Sequence, residues 1–163
     1  MDRLDQRILE TLQASGRKKN ADLARELEVA PSTMLERVRR LEGNNVLKGY
    51  RAIIDPEKLG LNVQAFISVN LYRHDAAHIR EFEEVLRRIP YVHACYHLSG
   101  RFDYLLHIAA RDLNQLGKLV KKEIASLPGF GKSETFLIFS EVKSDEGWPI
   151  EDDLFTYADE KES

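Results

Sequence analysis

The chain is short of cysteine and has no long apolar run. Cys95 is its one cysteine among 163 residues, so no disulfide framework can form, and a reducing cytoplasm is the expected setting. Cys95 lies in an apolar, strand-like stretch and is expected to be a small buried side chain rather than a nucleophile. No apolar stretch approaches the ~18 residues of a membrane span, and Met1-Asp2-Arg3 is not followed by a signal-peptide core. No membrane partner is therefore expected. His93, His97 and His107 fall at strand spacing, but no carboxylate or cysteine stands near them at metal-ligand spacing. They are expected to pack or to face solvent. Neither a metal, a cofactor nor an enzymatic centre is expected.

Charge of one sign is also scarce overall, yet it is unevenly spread. The net charge is −3. Residues 1–51 carry 11 basic and 8 acidic side chains, residues 52–141 carry 11 of each, and residues 142–163 carry 2 basic and 8 acidic. The positive excess sits at the N-terminal end, the negative one in an acidic tail. A mild basic excess on a small domain fits a polyanion partner bound through more than one copy.

What is present in that basic part is a patterned helix, Pro31 to Glu42. At 100° per residue, Met34, Leu35, Val38 and Leu41 share one side. Ser32, Thr33, Glu36 and Arg40 share the other, flanked by Arg37 and Arg39. Hydroxyls and guanidinium groups on an exposed helix face suit phosphate oxygens and guanine edges in a DNA major groove. Two short helices are expected before it. One runs from about Leu4 to Leu12, with Leu4, Ile8, Leu9 and Leu12 as its stripe. The next is capped by Asn20, with Leu23, Ala24 and Leu27 facing inward. Pro31 suits a first helical position, with Ala30 as a weak N-cap, and Thr33 with Glu36 offers an alternative capping box one turn later. Two helices joined by a tight turn, the second bearing Arg, make a helix-turn-helix pattern. Val46 to Pro56 then reads as a turn followed by a strand through Tyr50, Ile53 and Ile54, a small wing. It would bring Lys48 and Arg51 to the phosphate backbone, and the Arg17-Lys18-Lys19 turn would add further phosphate contacts.

The remainder repeats itself. Strands are expected at Val63–Leu71, Tyr91–Leu98, Phe102–Ala109 and Glu134–Glu141. A helix with Ile79, Phe82, Leu86 and Ile89 inward follows the first. Another, capped by Asp112 with Leu113, Leu116, Val120, Ile124 and Leu127 inward, follows the third. The order βαββαβ is the ferredoxin-like unit, two helices on one face of a four-stranded sheet. Its second face keeps aromatic and aliphatic side chains, so a homodimer through it is expected. The fold class is α+β: a winged helix-turn-helix over 1–50, a β linker over 51–61, a ferredoxin-like domain over 62–142, and an acidic tail over 143–163.

Four blocks together resemble the Lrp/AsnC, or feast/famine, family of transcriptional regulators. They are Leu4-Asp5-Gln6-Arg7-Ile8-Leu9, Leu35 to Glu42 ahead of Gly49-Tyr50, Ser99 to Leu106, and Glu141-Val142-Lys143. The resemblance implies double-stranded DNA as a partner, dimers that assemble to octamers, and a free amino acid as effector between dimers. It carries the effector site onto Ser99, Gly100, Arg101, Phe102 and Asp103, with Thr135 as a neighbour. Asp103 would accept the ammonium, and backbone N–H groups near Gly100 and Arg101 would meet the carboxylate. The implied role is regulation of amino-acid metabolism. Two rivals remain. Sirohaem decarboxylases resemble the same architecture, but carry a His-rich, Asn-Leu-Trp-like strand where this chain reads Phe102-Asp103-Tyr104-Leu105-Leu106. A winged helix that binds protein would not need an outer face rich in Arg.

Overall fold

The computed structural model describes residues 1–150. The part of the expected acidic tail beyond Ile150 lies outside the described residues. The described chain divides into two compact units, Met1–Ile53 with residues 143–150, and Ile54–Val142.

In the N-terminal unit, helix α1 spans Arg3–Ala14, α2 Asn20–Glu26 and α3 Pro31–Gly43. The α1 start is fixed by a reciprocal cap. Asp2 accepts from the N–H groups of Leu4 and Asp5, and the Asp5 carboxylate accepts from the N–H of Asp2. Such a capping box satisfies donors that the first helical turn leaves free. Ile8, Leu9, Leu12, Leu23, Ala24, Leu27, Met34, Val38 and Leu41 form the core. Asn20 is not the N-cap of α2 as expected. Lys19 holds that position without a side-chain bond, and Asn20 begins the helix. Leu35 is also not in the core. It stays 38 % exposed because Met34, Val38 and Leu41 alone fill the face toward α1 and α2.

The expected wing strand does not form. Residues 51–55 are extended without a ladder, and a 3₁₀ turn occupies Glu57–Leu59. Among the described residues no strand lies beside them, and an extended segment without a partner gains no ladder bonds. Ile53 is left 87 % exposed.

The second unit has the expected order. Strand β1 is Val63–Leu71, helix α4 Ala76–Leu86, β2 Val92–His97, β3 Tyr104–Ala110, helix α5 Leu113–Leu119, and β4 Phe130–Leu137. The antiparallel sheet runs β2-β3-β1-β4. Alternation on β1 and β3 sends Ala65, Ile67, Val69, Leu71, Tyr104, Leu106, Ile108 and Ala110 under the helices, where Phe82, Leu86, Leu116, Leu119, Ile124 and Leu127 meet them.

Three expectations shift here. The second helix changes pitch: α5 runs on into a π turn over Val120–Ile124. The wider turn shifts the helical phase for the residues after Leu119; within α5 itself Leu119 is buried while Leu113, at the first helical position, remains exposed. The last strand begins at Phe130, four residues ahead of its expected start, because Phe130 already pairs with Leu71 at the end of β1, and Leu137 reaches Ala65 near its beginning. Beyond it Phe139 and Val142 have no strand to join and are 97 % exposed.

Cys95 is exposed rather than buried. It lies on edge strand β2 opposite Leu106, with β3 as its one neighbouring strand. Partial burial, with Glu83 nearby, still pushes its thiol up to about 11. That rise cuts the thiolate fraction about a hundredfold, and the greater nucleophilicity of a more basic thiolate returns about tenfold. Iodoacetamide at pH 8 should therefore label native Cys95 roughly tenfold more slowly than the unfolded chain, as read by mass spectrometry.

Candidate functional site

The outer face of α3 is half free and half tied. Ser32, Glu36 and Arg39 are exposed, and Thr33 is partly buried. Arg37 and Arg40 are different. The Asp5 carboxylate is fully buried, and it receives Arg40 Nη2 at 2.6 Å and Arg37 Nη1 at 3.2 Å. Arg37 also pairs with Asp2. The pairing holds the Arg37 guanidinium above its ordinary value, chiefly through Asp2 and then Asp5. The Asp2 carboxyl sits below its own, chiefly through the Asp5 N–H, with Arg37 adding to it. These carboxylates fasten the start of α1 to the middle of α3. Asp2-x-x-Asp5 is a capping pattern visible in the sequence; its second use, as an arginine clamp, needed the fold.

Lys48 is exposed in the turn after α3. Arg51 reaches Asp145 at 3.3 Å, with both side chains over 70 % exposed, so this pair is loose. Lys18 of the basic turn pairs with Glu26 at 2.5 Å.

In the second unit the loop Ser99–Asp103 joins β2 to β3. Gly100 has φ +142°, which an L side chain rarely adopts. The loop is strapped to β1. Asp103 N–H donates to the Val69 carbonyl, and Asn70 Nδ2 donates to the Arg101 carbonyl at 2.8 Å. The Asp103 carboxylate takes the Leu71 N–H at 2.7 Å and meets His74 Nε2 at 3.0 Å. Burial pulls the Asp103 carboxyl up, but the Leu71 N–H and His74 outweigh it and hold the group below its ordinary value. Arg101 lies over the Phe102 ring, 4.4 Å from its centroid. Phe102 in turn approaches Phe136 of β4, centroids 6.3 Å apart.

Thr135 pairs with Ile67, while Phe136 pairs with Phe66. Alternation puts Thr135 on the helix side of the sheet and Phe136 on the open side. The loop therefore meets β4 through Phe136, and Thr135 stands on the other face. The sequence reading missed His74, Asn70 and Phe136. An alternation count along β4, which sets Phe136 on the face opposite to Thr135, is the signal that could have found Phe136.

The open face carries Phe66, Ser68, His107, Tyr96 and Phe136, and Ser68 Oγ is buried there without a hydrogen-bond partner. His107 Nε2 meets Gln64 Oε1 at 3.0 Å, and its ring lies 5.0 Å from Phe66 and 5.3 Å from His93. Burial first, then His93, hold the imidazole below its ordinary value. The neutral form is thus favoured on folding, so this stabilisation is complete above about pH 6.5 and is lost as pH falls through the folded-state value. The urea midpoint of the sheet unit should fall between pH 7.5 and 5.5, and His107→Gln should flatten that slope. Among the described residues no three His, Cys, Asp or Glu side chains are placed to hold a metal ion. No helix among them is long and apolar enough to cross a membrane.

A helix-turn-helix joined to a βαββαβ sheet unit with a strapped polar loop defines a DNA-binding regulator carrying its own ligand domain. Family models agree with both parts. Residues 1–42 match the AsnC-type helix-turn-helix domain, and residues 64–148 match the Lrp/AsnC ligand binding domain. The chain belongs to the Lrp/AsnC family of transcriptional regulators. It is 33% identical over 143 residues to the leucine-responsive regulatory proteins of Klebsiella pneumoniae and Escherichia coli K12, covering 88% of this chain and 87% of each of them. Among solved structures, a transcriptional regulator of Neisseria meningitidis in complex with L-Met superposes with a TM-score of 0.87 at 30% identity, over 95% of this chain and 99% of that one. An AsnC family regulator of Agrobacterium tumefaciens gives 0.86 at 28%, with the same coverage. The relatives are regulators, which does not favour the decarboxylase alternative.

Proposed function

We propose that this regulator reads double-stranded DNA with α3 in the cytoplasm, and that a free amino acid held by the Ser99–Asp103 loop sets its DNA binding. The observation that carries the reading is the state of that loop. Gly100 gives a close backbone approach, and Asp103 offers a carboxylate whose Oδ1 takes no donor among the described residues. An ammonium needs such an acceptor, and an α-carboxylate needs N–H donors of the kind Gly100 and Arg101 present. The L-Met complex of the Neisseria relative and the leucine-responsive relatives support an amino acid as the ligand class. Thr135, on the other face, would contribute only through a neighbouring copy.

On the DNA, Ser32, Thr33, Glu36 and Arg39 would meet base edges and phosphates. Arg37 and Arg40 would offer only the N–H groups that Asp2 and Asp5 leave free. Lys48 and Arg51 would meet the backbone. Dimers would form through the open sheet face, where Phe136 is 40 % and Tyr96 54 % exposed, and would assemble further to octamers with the ligand between dimers. Two α3 helices would then address sites roughly 34–36 Å apart. The ligand acts only if it binds two assembly states unequally.

The test is a thermal-shift screen of the full chain against the twenty free amino acids, with light scattering on each hit and retention on duplex DNA across a salt series. One stabilising amino acid that changes particle size, with salt-dependent retention, is the expected result. Retention that is absent at low salt would overturn the DNA reading, and a screen without a hit would overturn the effector reading.

A further inference from the structure

The sequence pattern left Lys143 to Ile150 as the start of an acidic tail, yet this segment belongs with the helix-turn-helix. The Gln13 side chain on α1 grips the Trp148 backbone on both sides of its Cα. Its Oε1 accepts the Trp148 N–H at 2.7 Å, and its Nε2 donates to the Trp148 carbonyl at 2.9 Å. Two points of attachment fix orientation as well as position. Ile150 then packs against the apolar core of the three helices, as Leu4, Val29 and Leu47 also do.

The approach is possible only because residue 147 is glycine. Gly147 has φ +99°, and a Cβ there would stand 2.4 Å from Gln13 Oε1 and 2.7 Å from its Cδ. Backbone conformation and close contact both require the absent side chain. The turn is set by Asp145, whose Oδ1 accepts the Gly147 N–H at 3.1 Å. The Asp145 Oδ2 meets Arg51, just before the point where the chain first leaves this unit. Trp148 as a residue is 84 % exposed, so its backbone rather than the indole makes the attachment.

We propose that Asp145–Ile150 is a latch: a segment that returns from the end of the sheet unit and completes the DNA-reading unit by docking on α1 through Gln13. The chain passes between the two units at Ile53–Ile54 and again at Val142–Lys143. With the latch closed, both passages are anchored, and the three helices are held by two tethers instead of one. A unit held by two tethers samples fewer orientations, so less freedom is lost when it meets DNA. Opening the latch frees the helices on a single linker and weakens DNA binding without touching α3. This holds whether or not an amino acid controls the protein.

Two variants open the latch from opposite sides. Gln13→Ala removes the grip from an exposed position of α1, and alanine keeps the helix. Gly147→Ala removes the fit from the arm and alters no helix. Hydrogen exchange on the full chain reads the Trp148 amide directly. In the wild type it should be protected, and in both variants it should exchange at least about tenfold faster, as expected for a local opening. The steady-state anisotropy of Trp148, the one tryptophan of the chain, should fall with it. Affinity for a duplex selected by the wild-type protein from a random pool should drop roughly three- to tenfold in both variants. A wild-type Trp148 amide that exchanges at the free-peptide rate would overturn the latch. Faster exchange in the variants with unchanged DNA affinity would overturn its role in holding the helices.

Discussion

Asp5→Ala is expected to lower both the melting temperature of the DNA-reading unit and its affinity for DNA, although Asp5 itself touches no outer surface. Its carboxylate is fully buried and accepts from Arg40, from Arg37 and from the Asp2 N–H. Deleting it opens the α1 cap and leaves two guanidinium groups without their shared acceptor. Breaking a buried ion pair from one side costs ~3–5 kcal/mol when the partner stays dry. Here the partners can rehydrate, since the Arg37 and Arg40 side chains are 25 % and 50 % exposed. A loss of about 1–3 kcal/mol is therefore expected, and each kcal/mol moves the Tm of so small a unit by roughly 4–8 °C. Arg39→Ala provides the contrast. Arg39 is exposed and makes no ion pair among the described residues, so its Tm should stay within a degree or so of wild type. Its DNA affinity should still fall, with the salt slope reduced by about one unit if the contact is to phosphate. Thermal denaturation followed by circular dichroism, paired with a salt series of DNA titrations, separates the two variants. An Asp5→Ala protein with wild-type Tm would remove the clamp from the account. The contrast also governs how Arg40→Ala is read, because a loss of DNA binding there mixes a lost contact with a loosened α3.

Much of this was legible in the chain. Apolar spacing alone located α1, α3, α4 and β1, because each buries one face of a period fixed by the backbone. The order βαββαβ followed from the same counts. What failed shares a cause. The wing strand through Ile53 and Ile54 has strand propensity but finds no neighbour among the described residues, and propensity does not supply a ladder. The π turn after Leu119 inserts a phase shift that a strict 3.6 period cannot carry. The start of β4 depends on where β1 ends, a register set by pairing. At the sites, residue types were readable and residue partners were not. Arg37 and Arg40 look like groove-facing cations until Asp5 is folded behind them. Gln13 carries no signal at all, since its partner lies 135 residues away.

Asp103→Ala should abolish the amino-acid response, and it should also soften the ligand-free protein. The second effect follows from the strap. Oδ2 holds the Leu71 N–H at the end of β1, and truncation leaves that donor without its acceptor, a loss of about 1–2 kcal/mol. The alanine variant alone therefore cannot distinguish a ligand contact from a collapsed loop. Asp103→Asn can. Its amide oxygen can still accept from Leu71, so stability above pH 5 should stay close to wild type, while the negative charge that an ammonium requires is gone. The expected pattern is a thermal shift with the screened amino acid in wild type and none in either variant, with a lowered ligand-free Tm only in Asp103→Ala. A wild-type response in Asp103→Asn would make Asp103 purely a loop fastener. Acid gives an independent check. A carboxyl held below its ordinary value stabilises the fold fully above the unfolded value near about pH 4, and that contribution disappears as pH falls through the folded value. Wild-type stability should accordingly decline below about pH 4 more steeply than that of Asp103→Asn, whose side chain cannot titrate. The charge that would bind the ligand is the same charge that keeps its loop in place, so an ammonium at Oδ1 would tighten a strap that already exists.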